Sequence, residues 1–366
     1  MQIPVIRFRR DNTDFTKTLR RRVDEYFKEK NLSRKGDWRL HVKSSTMIAL
    51  YFVPWALITW GFAGQSWGFW AAEFIMGLGL AGIGMNVMHD ANHDAYSNNK
   101  KVNLWVGRTL DLVGGNAAIW KIQHNVLHHT FTNVDGLDED IDMHPFMRFS
   151  PLKPRFWWHK FQHIYSWGFY SLMTIFWMIA KDWMQLRRYH KKDLIRPAGT
   201  SVKELSLSLL LTKTVYFSYV IALPMWLSGA AWYQVIGGWV LMQLVAGFIL
   251  AIIFQPAHVM EEHDYQPAQK GETLDIDSWT HQLRTTSNFG TGSKALTWLC
   301  GGLNHQIEHH LFPQVSHIHF SKLAPIVKKT AEEFGIPYRS STTYWQAIER
   351  HTRMLKALGN SPQMAA

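Results

Sequence analysis

Eight of the nineteen histidines in this 366-residue chain fall into three short clusters: His89 and His93; His124, His128 and His129; His305, His309 and His310. Spacing of i, i+4 brings two imidazoles to one face of a helix, where a metal ion could use both. His258 stands alone in Gln255-Pro256-Ala257-His258. Imidazoles packed together repel one another once protonated, so the clusters are read as ligands. They are too many for one tetrahedral zinc and suit two ions with open positions. Neutral nitrogen ligands favour iron, copper or zinc, and on iron the open positions could bind and reduce O2. The isolated His144, His159, His163, His190, His263, His281 and His351 read as surface residues, with His317 and His319 as candidates for support behind the ligands.

These ligands are far apart in sequence, and long apolar elements must gather them. Glu73 is the only charged residue between Lys43 and Asp90, and there is none between Lys213 and Glu261. Each block is long enough for two membrane crossings of about 20 residues and a tight turn. The turns are expected at Gly61 to Trp67 and Leu227 to Trp232, flanked by Trp60, Trp67, Trp70, Trp226 and Trp232 as an interfacial aromatic belt. Phe161 to Ala180 is also uncharged, but crossing there would export the basic segment 181–204, so it reads as a helix lying in the interface. Leu104 to Trp120, with Arg108 and Asp111, reads the same way. Lys213 is expected to snorkel to the interface.

The expected fold is thus an all-α integral membrane protein: four transmembrane helices in two hairpins, interfacial helices and a cytoplasmic helical cap. Residues 1–43 form a basic cytoplasmic N-terminal segment, 44–325 the membrane domain and 326–366 a helical cytoplasmic tail broken at Gly335 to Pro337. Both termini and the histidine clusters come out on the cytoplasmic side. A single cysteine, Cys300, excludes an intrachain disulfide and a cysteine-based metal site. The net charge of +11 would suit nucleic acid, but no binding motif accompanies it, and loop charge beside membrane spans explains it better.

The three clusters resemble the histidine boxes of the membrane-bound fatty acid desaturases. The run Gly301-Gly302-Leu303-Asn304-His305-Gln306-Ile307-Glu308-His309-His310-Leu311-Phe312-Pro313 is similar to the front-end group, in which Gln replaces the first His of the third box. Asp138-Glu139-Asp140-Ile141, after the second box, resembles that group too. The resemblance implies two iron ions held by the box residues His89, His93, His124, His128, His129, Gln306, His309 and His310, with O2 as co-substrate; His258, where the fourth span leaves the bilayer, is read as a further ligand. The substrate would be a fatty acyl chain, as CoA thioester or lipid-linked. Unactivated C–H bonds yield to no side-chain acid, base or nucleophile, which agrees with a metal oxidant. The His-Pro-Gly-Gly motif of a fused haem domain is not in the sequence, so electrons are expected from a separate ferredoxin or cytochrome.

The third box stays ambiguous, because His305-x-x-x-His309-His310 repeats the spacing of the second. Neighbouring residues of a regular helix lie about 100° apart, so His305 and Gln306 cannot both aim at one ion. Gln306 is favoured, His305 stays open, and Glu308 is read as an acceptor behind a ligand imidazole. A sister hydroxylase or ketolase would use the same ligands. A metal transporter would need polar ligands inside the spans, which hold almost none.

Overall fold

The computed structural model of the chain describes residues 6–9, 13–64, 66–268 and 273–363. Among the described residues it is mostly helical, with two minimal parallel strand pairs, Arg7–Arg9 with Thr273–Asp277 and Asn288–Phe289 with Ser340–Ser341. Two compact units emerge. One is built from Asp37–Ile122 and Trp167–Ile252; the other takes the described residues up to Gly36, then Gln123–Ser166, then those from Ile253 onward.

The first unit is the membrane unit. Among the described residues, four helices are long and apolar enough to cross a bilayer: Trp38–Thr59, Trp67–Asn92, Val202–Leu227 and Trp232–His258. They are the two expected hairpins, and the turns fall where the sequence places them, although Gln65 in the first lies outside the described residues. Trp60, Trp67, Trp226 and Trp232 are all exposed at the helix ends, as an aromatic belt requires. Within the first hairpin, a Cβ at Gly79 would stand 2.5 Å from the Tyr51 backbone nitrogen, so only glycine allows that close approach.

Two expectations need correction here. Leu104 to Trp120 is not one interfacial helix but parts of three short ones, Lys100–Gly107, Thr109–Leu112 and Ala117–Lys121. Lys213 does not snorkel. A capping box of Ser201 and Glu204 starts the third span at Val202, which leaves Lys213 in its interior. There its buried Nζ donates to the Gly114 carbonyl at 2.6 Å and pairs with Asp182 Oδ2 at 2.8 Å. An unpaired charge could not stay at that depth.

In the second unit, helix Asp14–Glu29 buries Phe15, Leu19, Val23 and Phe27, a strict i, i+4 stripe. The stripe meets Leu323, Val327 and Ala331 of helix Phe320–Glu333, and with them Ile307 and Leu311 of helix Gln306–Leu311. The basic N-terminal segment is therefore a packed element, and its polar face is tied down by Arg22 Nη2 to Glu333 Oε2 at 2.7 Å.

Candidate metal centre

The third box is aimed by packing. Ile307 and Leu311 point into the apolar core, which turns Gln306, His309 and His310 to the opposite face of their short helix. Asn288 fixes where that helix begins: its Oδ1 accepts from Ile307 N at 2.9 Å. Just ahead, Gly302 has φ of +70° and sits where a Cβ would come within 2.9 Å of His317 Cβ, so glycine is required at this turn. His305 lies outside the helix, with φ −108° and ψ 55°. The regular-helix argument against His305 and Gln306 acting together therefore lapses. His305 Nδ1 stands 3.6 Å from Glu308 Oε2, beyond hydrogen-bond reach. Glu308 is fully buried and accepts from Asn288 Nδ2 at 2.8 Å and Tyr338 OH at 2.9 Å.

The second box uses a different device. Ile122–His128 is a π-helical turn, and His129 N donates to His124 O at 2.9 Å. In an i→i+5 repeat, positions i+4 and i+5 fall on either side of the line above i, so His128 and His129 both share a face with His124. An α-helix would have turned His129 away. A π turn, Gly84–Met88, also precedes the first box. In the membrane unit the His89 and His93 rings stand 4.8 Å apart between centroids, each with an edge contact to Trp120 at 5.8 Å.

Within the second unit the imidazoles converge. One ring nitrogen from each of His128, His258 and His310 lies within 4.8 Å of the others, and the same holds for His129, His309 and His310. His129 Nε2 and His309 Nε2 are 2.9 Å apart. The opposite nitrogens meet acceptors. His128 Nδ1 lies 3.0 Å from both Asp138 oxygens, His124 Nδ1 2.6 Å from Asp140 Oδ2, and His310 Nδ1 2.7 Å from Gln282 Oε1. Such acceptors fix the tautomer and direct the Nε2 lone pair inward. Burial pushes the His124 imidazole below its ordinary value; it acts on His128 too, but there the Asp138 carboxylate prevails and raises it.

The fit to a metal rests on what these nitrogens face. His128 Nε2, both ring nitrogens of His258 and both amide atoms of Gln306 are buried without a hydrogen-bond partner among the described residues. Buried polar atoms in that state are costly unless something fills the site. A cluster of nitrogen donors suits a borderline-soft divalent ion.

All nine candidate ligands are thus described, seven of them in the second unit and His89 and His93 in the membrane unit. Sequence reasoning missed the supports. Asp138 and Asp140 carried only a resemblance, and Gln282 carried no signal. Four histidines assigned to the surface are buried. His263 Nδ1 holds the His258 carbonyl at 2.7 Å, His281 Nε2 the Thr132 carbonyl at 2.8 Å, His351 Nδ1 the Val259 carbonyl at 2.9 Å and His159 Nε2 the Pro145 carbonyl at 2.8 Å. Burial keeps them neutral, pushing His281 and His351 down to about 4 and His263 to about 3.

Comparison with known proteins places this geometry in a family. The model of the fatty acid desaturase family matches residues 64–342. The chain is 34% identical over 352 residues to an sn-1 linoleoyl-lipid 6-desaturase of Synechocystis sp., covering 95% of this chain and 96% of the relative. It is 31% identical to the sn-1 linoleoyl-lipid 6-desaturase of Arthrospira platensis, over 96% of this chain and 94% of that one. An acyl-lipid (8-3)-desaturase of Physcomitrium patens is also 31% identical, over 95% of this chain and 72% of its own. The matched segment contains all three boxes and His258, and the chain belongs to the fatty acid desaturase family.

Proposed function

We propose that the chain is a front-end desaturase of lipid-linked acyl chains, inserting a double bond between an existing one and the carboxyl end. The relatives' names support the substrate class, and Gln306 in the third box supports the regiochemistry. One observation carries the chemistry: the convergence of His128, His258 and His310, with His128 backed by Asp138 and its other nitrogen facing the cluster unpartnered among the described residues.

In this reading two iron ions are held by His89, His93, His124, His128, His129, His258, Gln306, His309 and His310. When bound, they supply the oxidising power, drawn from O2, to break unactivated C–H bonds. Two hydrogens leave adjacent methylenes, and two external electrons with two protons complete the reduction of O2 to two waters. The protein's part is to aim the imidazoles: Asp138 and Asp140 accept from Nδ1 of His128 and His124, which leaves Nε2 as the donor toward a metal, and Asn133 Nδ2 donates to the His258 carbonyl at 3.1 Å. The electrons come from a separate donor, a ferredoxin or cytochrome. The ligands and both termini face the cytoplasm, as the Lys and Arg of the loops support.

Expression in a host that lacks polyunsaturated lipids, with product analysis by mass spectrometry, tests this. The expected product is a dienoic or trienoic acyl lipid whose new double bond lies on the carboxyl side of the old one. A hydroxylated product, or a new bond on the methyl side, would overturn it.

A further inference from the structure

Gln282 sits on helix Ser278–Thr285 and is buried. Its Nε2 donates to the backbone carbonyl of His129 at 2.8 Å, which fixes the orientation of the amide. Its Oε1 then faces His310 Nδ1 at 2.7 Å. One side chain thereby ties the backbone of the second box to an imidazole of the third. An acceptor at Nδ1 puts the proton of His310 there, which makes Nε2 the nitrogen that could serve a metal shared with His128 and His258.

The acceptors behind the imidazoles are not alike. His124 and His128 are backed by the carboxylates of Asp140 and Asp138, His310 by a neutral amide. A carboxylate draws the Nδ1 proton more strongly and makes the imidazole a better electron donor than an amide does. We propose that Gln282 is a positioning residue for His310 that fixes its tautomer and, by being neutral, keeps the ion held by His128, His258 and His310 easier to reduce. The inference rests on the metal-centre reading above.

Gln282 also lines a cavity of about 170 Å³ together with His129 and His310, so in a truncated variant water could stand in for the amide. An isosteric variant is therefore needed beside the truncation. The full-length wild type, Gln282→Ala and Gln282→Glu are purified and loaded with Fe(II). Affinity is measured by chelator competition and the midpoint potential by spectroscopic redox titration. Gln282→Ala should bind Fe(II) about 10–100-fold more weakly. Gln282→Glu, which keeps an acceptor for His310 and adds charge, should retain iron with a more negative potential than wild type. A residue that merely supports the fold would not move the potential in that direction. Wild-type affinity in Gln282→Ala, or a potential in Gln282→Glu that is unchanged or more positive, overturns the inference. Should Gln282→Ala not fold, the potential of Gln282→Glu decides. A wild type that binds no Fe(II) would instead overturn the metal centre itself.

Discussion

Two kinds of buried histidine stand in the second unit, and they differ in what their nitrogens meet. In the cluster of His128, His258 and His310 the rings turn nitrogens toward one another. Elsewhere in the unit, His263, His281 and His351 each hold a backbone carbonyl, and His263 Nε2 also meets Ser287 Oγ at 2.7 Å. In the first kind, His128 Nε2 and both nitrogens of His258 have no hydrogen-bond partner among the described residues. Burial alone therefore does not mark a ligand. What marks it is a buried nitrogen, aimed at other nitrogens and unsatisfied by the protein. Replacing a ligand should empty a site, and replacing a scaffold histidine should only loosen the fold.

The largest effect is expected where the comparison is least settled, at the third box. Gln306→Ala should abolish desaturation in a lipid-product assay, whereas His305→Phe, beside Glu308 and outside the helix, should retain it. An inactive His305→Phe with a working Gln306→Ala would move His305 into the ligand set and weaken the front-end reading. Next is Asp138→Ala, which strips the acceptor from His128 but leaves its imidazole in place; iron affinity by chelator competition should fall about 10–100-fold. A smaller loss would mean that the ring is held by packing.

The smallest effect belongs to the scaffold. With His351 pushed down from 6.5 to about 4 by burial, the unfolded chain takes up a proton that the folded chain refuses as pH falls through that interval. Stability is full above about pH 6.5 and declines below it, by ~3 kcal/mol over the whole interval for this one group. His351→Phe should thus melt lower than wild type at pH 7, losing about 1 kcal/mol with the bond to Val259, yet lose less than wild type between pH 7 and pH 5. Thermal melts in detergent at the two pH values check this, and parallel slopes would contradict it.

The contrast also explains what the sequence reveals. The proposed ligands are legible because each box packs its histidines within one or two helical turns, and spans are legible because long stretches lack charge. The π turn of the second box is not legible in its spacing, because His305-x-x-x-His309-His310 has the same spacing and folds as an α-helix that begins at Gln306. The supports are not legible. Asp138 reaches back across a loop from ten residues away, Gln282 reaches His310 from 28 residues ahead of it, and Lys213 finds Asp182 only once the chain has folded. His263, His281 and His351 looked like surface residues because a lone histidine carries no period and its partners are backbone carbonyls, which every sequence has.

The central claim, that the converging imidazoles hold iron and the scaffold histidines do not, is tested most directly by the iron content of purified protein. Wild type and His351→Phe should each carry about two irons per chain, and His128→Ala markedly less at equal protein recovery. Iron-free wild type under iron-replete expression, or His128→Ala with a full complement, would contradict the account.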